Sequence, residues 1–243
     1  MADPLRIVLV SPRNPLNIGA AARAMSNFGF TELRLVKPYD VAFREARSAV
    51  HSEYILKEAK VFDNIAAATA DCTLVVGTTA AERRNLQLPL YRLETAASLI
   101  KEQLATSSVA LVFGSEKFGL SNEDLSYCNW LLRIPTRQEH GSMNLGQAVA
   151  VCLYELRRQA EAAGGRVEMP RRAAAGDYEC ITGLLMELLD RSGYVPERTA
   201  TSSELKIRRL VRRLFIPQTD VQKWLGILRQ ILWKVKSVSD PHG

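Results

Sequence analysis

The stretch that decides the fold is VALVFGSEKFGL, residues 109–120. Its first five residues are apolar, and a short apolar run that ends at a glycine is typical of a strand buried on both faces. Gly114 permits close approach of the backbone to a ligand. Because ligands of open α/β sheets bind beyond the carboxyl ends of the strands, the loop at 114–120 is a candidate binding loop.

Runs of the same kind lie on either side of this stretch. Apolar strands are predicted at RIVLV (6–10), LRLVKP (33–38), TLVVGT (73–78) and WLLRIP (130–135), with a shorter one at VFD (61–63). Helices are predicted between them, at 17–28, 42–59, 93–105 and 144–160. Strands that are apolar throughout and alternate with helices predict an α/β fold, in which helices cover both faces of a parallel sheet.

The last third of the chain follows another pattern. Residues 161–176 contain glycines, a proline and several small residues without periodicity, which is typical of a linker. Three stretches with apolar residues at helical spacing follow, beginning near Ile181, Ile207 and Val221. We therefore predict one domain at 1–160, a linker at 161–176 and a small helical module at 177–243.

Length and composition exclude several classes of protein. The chain has 243 residues, 47% of them hydrophobic, which fits one large domain or one domain with an appendage. No apolar run approaches the roughly 20 residues that span a bilayer, and the N-terminus lacks a signal peptide, so we expect a cytoplasmic protein. The four cysteines form no C-x-x-C pair, so we expect neither a metal site nor a disulfide framework.

The excess of positive over negative charge lies in the C-terminal third. Residues 1–156 carry 16 Lys and Arg against 16 Asp and Glu, and residues 157–243 carry 16 against 10, which accounts for the whole net charge of +6. A basic module beside a neutral domain indicates a polyanionic partner, most simply a nucleic acid, although a merely soluble basic tail has the same composition.

Single residues in the strand-end loops have simple structural explanations. Asn17 can be a helix cap, Glu116 can be a solvated acid or can hold backbone amides, and Ser142 can begin the helix that follows. Arg23 is more informative. On the predicted helix it points away from the apolar face of Ile18 and its neighbours, so it is either solvated or directed at a site.

Taken together, the loops carry three motifs. N-P-x-N-I-G-x-x-x-R-x-M begins at Asn14, A-L-V-F-G-x-E-x-x-G-L begins at Ala110, and I-P-x(6)-S-M-N-L begins at Ile134. In order and separation they closely resemble the three motifs of the SPOUT methyltransferases, and most closely those of the TrmJ-type tRNA ribose methyltransferases. The stretch SSELKIRRLVRRLF at 202–215 is similar to the C-terminal extension of that group.

This resemblance implies a fold, a cofactor and an assembly. SPOUT enzymes have a parallel sheet whose C-terminal part is tied into a deep trefoil knot, and they work as homodimers that bind S-adenosylmethionine in the knot loops. Carried over to this chain, the implied cofactor contacts are Thr78, Thr79, Ala80, Gly114, Ser115, Glu116, Ile134, Ser142, Met143, Asn144 and Leu145.

The resemblance also implies the reaction, methylation of a ribose 2′-hydroxyl at nucleotide 32 of transfer RNA. Arg23 matches the arginine that serves the hydroxyl and would come from the partner subunit, and it is expected to hold the hydroxyl or a phosphate, since it remains charged. Asn17 would fix the loop beside it, and Ser142 and Asn144 would orient the ribose or the cofactor.

The residues themselves indicate an RNA-binding helix. Arg208, Arg209, Arg212 and Arg213 are expected on one face of the second C-terminal helix, opposite Ile207, Leu210, Val211 and Leu214, where they would match phosphates along a backbone. A solvated helix face is the alternative. Arg83 and Arg84, just past the Gly77 loop, are further candidates for RNA contact.

Three other functions fit parts of this pattern. A SPOUT enzyme acting on another tRNA ribose or on ribosomal RNA would share the motifs. An RNA-binding protein that has lost catalysis would share the fold, but the intact Asn17, Arg23, Glu116 and Asn144 argue against it. An α/β enzyme acting on a small molecule would show no salt-dependent binding of tRNA.

Overall fold

The computed structural model describes residues 3–39, 52–80, 88–137, 139, 141–158, 171–195 and 200–239. Within these residues a seven-stranded sheet has the order β3-β2-β1-β6-β4-β7-β5, and every pairing in it is parallel. The strands are β1 (Leu5–Val10), β2 (Glu32–Val36), β3 (Lys60–Phe62), β4 (Leu74–Thr78), β5 (Leu90–Arg92), β6 (Val109–Phe113) and β7 (Trp130–Arg133).

The helices alternate with the strands as predicted. They are α1 (Pro15–Phe28), α2 (Glu53–Glu58), α3 (Ile65–Thr69), α4 (Leu93–Leu104), α5 (Asn122–Ser126), α6 (Leu145–Arg157), α7 (Ala175–Arg191), α8 (Ala200–Arg212) and α9 (Val221–Ser239). The α/β class and the parallel sheet are therefore confirmed. The trefoil knot stays a prediction, and the part of the predicted helix at 42–51 lies outside the described residues.

Both faces of the sheet are buried, which explains why the strands are apolar throughout. In β1, Ile7 and Leu9 pack with α1, α2, α4 and α6 on one face, and Val8 and Val10 pack with α3 and α5 on the other. Burying one such side chain contributes about 1.5–3 kcal/mol, and because side chains alternate between the faces, each strand adds to both layers of the core. No described helix is long and apolar enough to cross a membrane.

The first helix shows how local sequence sets its ends. Asn14 caps it, its side chain accepting from the backbone N–H of Leu16, and Pro15 occupies the first turn. Gly29 ends it in the left-handed conformation, with φ of 74°. Asn17 therefore lies inside the helix and is not its cap, while Arg23 projects from the exposed side as predicted.

The C-terminal helices α7, α8 and α9 surround a core of their own, which includes Tyr178, Val211 and Leu228. The predicted linker is wrong at its end, because residues 173–176 are packed and not free. The backbone N–H groups of Ala175 and Gly176 donate to Cys72 and Ala70, and a Cβ on Gly176 would lie 3.1 Å from the Ala70 oxygen. The small residues here therefore allow the start of α7 to pack closely against residues 70–72. Residues 161–170 of the predicted linker lie outside the described part of the chain.

At the amino ends of the strands, two arginines share one carboxylate. Arg34 is buried and donates to Asp71 at 2.5 and 2.9 Å, and Arg6 approaches the same carboxylate at 3.3 Å. Hydrogen bonds from the Arg34 guanidinium hold the pKa of Asp71 far below its usual range. The group is ionised at neutral pH, and its charge compensates a guanidinium that the sheet buries.

Asp71→Asn is expected to lower the free energy of unfolding at pH 7 by about 2 kcal/mol, because it leaves Arg34 buried without a countercharge. This value is lower than for a fully buried ion pair, because half of the Asp71 side chain is exposed to solvent, which screens its charge. A depressed carboxyl pKa stabilises the fold above the unfolded value of about 3.9 and loses that effect as the pH falls below it. Urea unfolding should therefore show a difference from wild type that shrinks below about pH 4, and a constant difference would contradict this account.

Candidate active site

A cavity of about 400 Å³ opens where β4, β6 and β7 end. The loops that follow these three strands and the start of α6 form its wall. The lining residues are Thr78, Thr79, Ala80, Phe113, Gly114, Ser115, Glu116, Lys117, Phe118, Gly119, Leu120, Leu132, Ile134, Thr136, Gly141, Ser142, Met143, Leu145 and Ala148. The cavity thus lies at the carboxyl edge of the sheet, where ligands of parallel α/β folds bind.

The structure brings the predicted cofactor residues together from three separate stretches of sequence. All of them line the cavity except Asn144, whose side chain turns toward α1. Neither Asn17 nor Arg23 lines the cavity of its own chain. Arg83 and Arg84 lie outside the described residues.

Sequence reasoning missed the apolar part of this wall. Leu120, Leu132 and Ala148 line the cavity beside the predicted Ile134 and Leu145. Each is an apolar residue directly after a candidate loop, near the end of a strand or in the first turns of α6, and that position is the signal that could have identified them. The cavity therefore combines an apolar floor with backbone and hydroxyl groups at its rim.

The loop after β6 is a tight turn with no room for a side chain at Gly114. A Cβ there would lie 2.0 Å from the carbonyl carbon of Gly119 and 2.2 Å from the nitrogen of Leu120. Gly119 has φ of 65°, and its N–H donates to the Ser115 oxygen at 2.8 Å. The turn is closed on itself, so its backbone groups are held fixed along the cavity.

Three polar side chains connect the motifs behind the cavity. The Asn144 Nδ2 donates to Asn17 Oδ1 at 2.8 Å, and the Asn17 Nδ2 donates to Glu116 Oε1 at 3.0 Å. Glu116 also accepts from the backbone N–H groups of Arg13 and Asn14 at 3.2 and 3.0 Å. The chain Asn144–Asn17–Glu116 therefore fixes the start of α1 against the two loops that form the cavity.

The electrostatics of Glu116 follow from these contacts. Partial burial alone would raise the pKa of this carboxyl, but the hydrogen bonds from Asn17 and from the backbone of Arg13 and Asn14 outweigh that effect and lower the pKa. Glu116 is thus a carboxylate that holds backbone amides, one of the two structural explanations that the sequence left open. Its contacts favour an anchoring role over proton transfer.

Hydroxyl groups at the rim are partly engaged within the protein. The Thr78 hydroxyl donates to the Val112 carbonyl at 3.0 Å, and the Thr136 hydroxyl donates to the Gly141 carbonyl at 3.1 Å. These bonds tie β4 to β6 and close the loop after β7. Thr78 and Thr136 therefore fix the shape of the wall. Ser142, which belongs to the loop after β7, is exposed at the mouth of the cavity.

The predicted RNA-binding face of α8 needs correction. Arg208 and Arg212 are buried, with 6% and 1% of their surface exposed, and both bind Glu179. Leu210 and Leu214, predicted on the apolar face opposite these arginines, are about half exposed. Burial of the two arginines is possible because two carboxylates, Glu179 and Glu204, balance their charge, and tyrosine rings cover their guanidinium groups.

A different set of basic residues on this helix faces the solvent. Arg213 and Lys206 are exposed, and Arg209 is partly exposed. Their spacing of three, four and seven residues places Lys206 and Arg209 along one side of α8 and Arg213 on the same side just past its end, away from Glu179. The helix is therefore basic toward the solvent, but through a set that shares only Arg209 and Arg213 with the prediction.

Comparison with known proteins gives consistent matches along the chain. Residues 4–154 match the SpoU rRNA Methylase family. The tRNA (cytidine/uridine/adenosine-2′-O-)-methyltransferase TrmJ of Pseudomonas aeruginosa is 36% identical, over 98% of this chain and 96% of that protein. The tRNA (cytidine-2′-O-)-methyltransferase TrmJ of Methanocaldococcus jannaschii is 34% identical over 87% of this chain and 93% of its own length.

A solved structure extends the match to the arrangement in space. The crystal structure of TrmJ from Z. mobilis ZM4 superposes with a TM-score of 0.80 at 32% identity, and covers 93% of this chain and 98% of that chain. The similarity therefore includes the C-terminal helices as well as the sheet.

Proposed function

The chain belongs to the SpoU rRNA methylase family, and from that premise we propose that it methylates a ribose 2′-hydroxyl of cytoplasmic transfer RNA at nucleotide 32, with S-adenosylmethionine as donor. Cytidine and uridine are the expected nucleosides. The observation that carries the proposal is the convergence of three strand-end loops on one cavity, two of which are tied to the start of α1 by Glu116, Asn17 and Asn144.

The residues present fit an adenosyl cofactor. Leu120, Ile134 and Leu145 offer apolar surface for a flat purine, and the turn at Gly114 exposes main-chain groups that can bind polar edges of the ligand. The backbone around Gly114 would approach the ligand closely because no side chain intervenes. When bound, S-adenosylmethionine supplies an electrophilic methyl group.

The protein contributes alignment of the ribose and handling of its proton. A 2′-hydroxyl is a poor nucleophile at neutral pH and must lose its proton as it attacks. Arg23 remains charged, so its role is to hold the hydroxyl oxygen or a neighbouring phosphate in line with the methyl carbon. Ser142 lies at the mouth of the cavity, which supports a role in orienting the ribose, and the bond from Asn144 to Asn17 supports a positioning role for Asn144.

A homodimer would supply the arginine. Arg23 stands on the exposed side of α1 and does not line the cavity of its own chain, which supports its presentation by a second copy. The same surface carries exposed apolar residues that a partner would cover, Leu16 on α1 with 76% exposure and Tyr154 on α6 with 56%. Because α1 and α6 pack against each other beside the cavity, a twofold contact through them would bring each Arg23 toward the partner's site.

The substrate would be held in part by the C-terminal helices, through the basic face of α8. Substitution of Lys206, Arg209 and Arg213 together by alanine is expected to weaken tRNA binding and to reduce the slope of log Kd against log salt by about 2 to 3, because each lost phosphate contact removes just under one released counterion. Filter binding between 50 and 200 mM salt measures this slope.

The matched control lies on the neighbouring helix α7. Arg191→Ala removes a cation of α7 that is paired with Glu187, so it should leave the salt slope unchanged. If the triple variant kept the wild-type slope, α8 would be a solvated helix without a role in RNA binding.

The test of the proposed reaction is transfer of a labelled methyl group to an unmodified tRNA transcript. Transfer is expected with the normal transcript, and none when nucleotide 32 carries a 2′-deoxyribose. Label on the deoxy transcript would mean that another ribose is the target. Binding of tRNA without any transfer would favour an RNA-binding protein that has lost catalysis.

A further inference from the structure

A buried charge cluster joins the C-terminal helices to the sheet. Arg208 binds Glu179 at 3.0 Å and Glu204 at 2.5 Å, and Arg212 binds Glu179 at 2.9 Å. Arg208 and Arg212 belong to α8, whereas Glu179 belongs to α7. The cluster therefore locks the two helices together, and it does so at their contact with the sheet domain.

The same arginines reach across that contact. The Arg208 guanidinium lies 4.4 Å from the ring centre of Tyr127 and donates to the Ser126 hydroxyl at 3.3 Å. The Arg212 carbonyl accepts from Asn129 Nδ2 at 3.4 Å. These residues of the sheet domain occupy the end of α5 and the turn into β7.

Both partner segments continue directly into the wall of the cavity. Helix α5 begins with a capping box between Ser121 and Asp124, immediately after the lining residue Leu120. Asn129, which holds α8, also accepts from the backbone N–H of Val75 in β4, three residues before the lining residue Thr78. Arg208 and Arg212 are thus linked by short, rigid paths to two of the three loops around the cavity.

Packing at this point leaves little room for adjustment. A Cβ on Gly77 would lie 2.7 Å from Cys128 Sγ and 2.9 Å from a methyl of Leu131. Because β4 and the turn after α5 are in such close contact, a shift of α5 would displace the end of β4. The contact between α8 and α5 is therefore placed to set the width of the cavity.

We propose that the Arg208–Arg212–Glu179 cluster positions the cofactor loops, so that the C-terminal helices and the cavity bind their ligands cooperatively. The part that concerns RNA rests on the proposed function. Arg209 connects the two surfaces, since it lies on the basic face of α8 and donates to the Asn122 carbonyl at the start of α5 at 2.9 Å. RNA bound to α8 would restrict the motion of α5 through this contact, and with it the motion of the adjoining loop at 115–120.

The first test measures the cofactor alone. Arg208→Ala in the full chain is expected to weaken binding of S-adenosylmethionine by about five- to tenfold in calorimetry. Arg191→Ala removes an equal charge from α7, where it pairs with Glu187 and not with the cluster, and should leave this Kd unchanged. Arg208→Lys keeps a charge beside Glu179 but cannot also stack on Tyr127, so it should give an intermediate Kd and serves if the alanine variant does not fold.

A second control separates positioning from lost stability. Leu56→Ala removes a fully buried side chain from α2, which packs against β2 and does not line the cavity, and lowers Tm. If it weakens cofactor binding as much as Arg208→Ala does, the cluster is merely structural and the inference is overturned. An unchanged cofactor Kd in both Arg208 variants would overturn it as well.

The third measurement tests cooperativity. In the wild type, saturating tRNA is expected to tighten cofactor binding by about fivefold, and saturating cofactor should tighten tRNA binding by the same factor. Arg208→Ala should abolish this coupling. Absence of coupling in a wild type that binds both ligands would contradict the inference, whereas a wild type that binds no cofactor would contradict the proposed function instead.

Discussion

Replacement of Arg23 by alanine is expected to lower kcat for methyl transfer by at least about 10³-fold, while the Kd for S-adenosylmethionine stays within about threefold of wild type. The reason is geometric. Arg23 is exposed on α1 and does not line the cavity of its own chain, so its loss leaves the cofactor loops intact. The cation it removes is the one that would hold the ribose oxygen during attack.

Single-turnover rates with calorimetry separate these two effects. Arg92→Ala is the matched control, because Arg92 is an exposed arginine that pairs with Glu94, and its removal should change neither quantity. Arg23→Lys keeps the charge but loses the forked donors, and should recover only part of the rate. A rate for Arg23→Ala within tenfold of wild type would remove this residue from the mechanism.

The second large effect is expected at the cofactor loop. Gly114→Ala should weaken binding of S-adenosylmethionine by at least about 100-fold, since the new Cβ would lie 2.0 to 2.4 Å from the backbone of Gly119 and Leu120. The turn must open to admit this atom, and opening it displaces the main-chain groups that line the cavity. Calorimetric titration with the cofactor measures the loss.

Gly183→Ala is the control for the effect of replacing a glycine by alanine elsewhere in the chain. Gly183 lies in α7, nothing lies within 4 Å of its added Cβ, and alanine favours the helix, so this variant should bind the cofactor normally and unfold at a slightly higher temperature. Circular dichroism should show that Gly114→Ala is folded. Cofactor binding of Gly114→Ala at wild-type strength would mean that the turn at 114–120 does not form the site.

Local sequence was sufficient for six of the seven described strands and for the loops of the cavity. The apolar runs of β1, β4 and β6 are buried on both faces, and the glycines that end β4 and β6 lie where the polypeptide must turn closely. The edge strand β5 was not predicted. It has three residues, too few to show a period, and pairing with β7 determines its conformation.

Long-range contacts were beyond local patterns. Helical spacing on α8 separates apolar from basic residues, but it cannot show that Glu179 lies opposite Arg208 and Arg212 and draws them inward. The same limit applied to Asn17, whose role depends on Glu116 and Asn144, about 100 residues or more away in sequence. Motif spacing identified these residues through resemblance, and only the fold shows which of them are in contact.

The most direct test of the composite site is a heterodimer of two inactive chains, Arg23→Ala and Gly114→Ala, isolated with two different affinity tags. If each arginine acts on the partner's cavity, the heterodimer has one complete site and should recover about half the methyl transfer of the wild-type dimer. Both homodimers should remain inactive. A heterodimer as inactive as its parents would contradict the account, because it would place Arg23 and the cofactor loops of one chain in the same site.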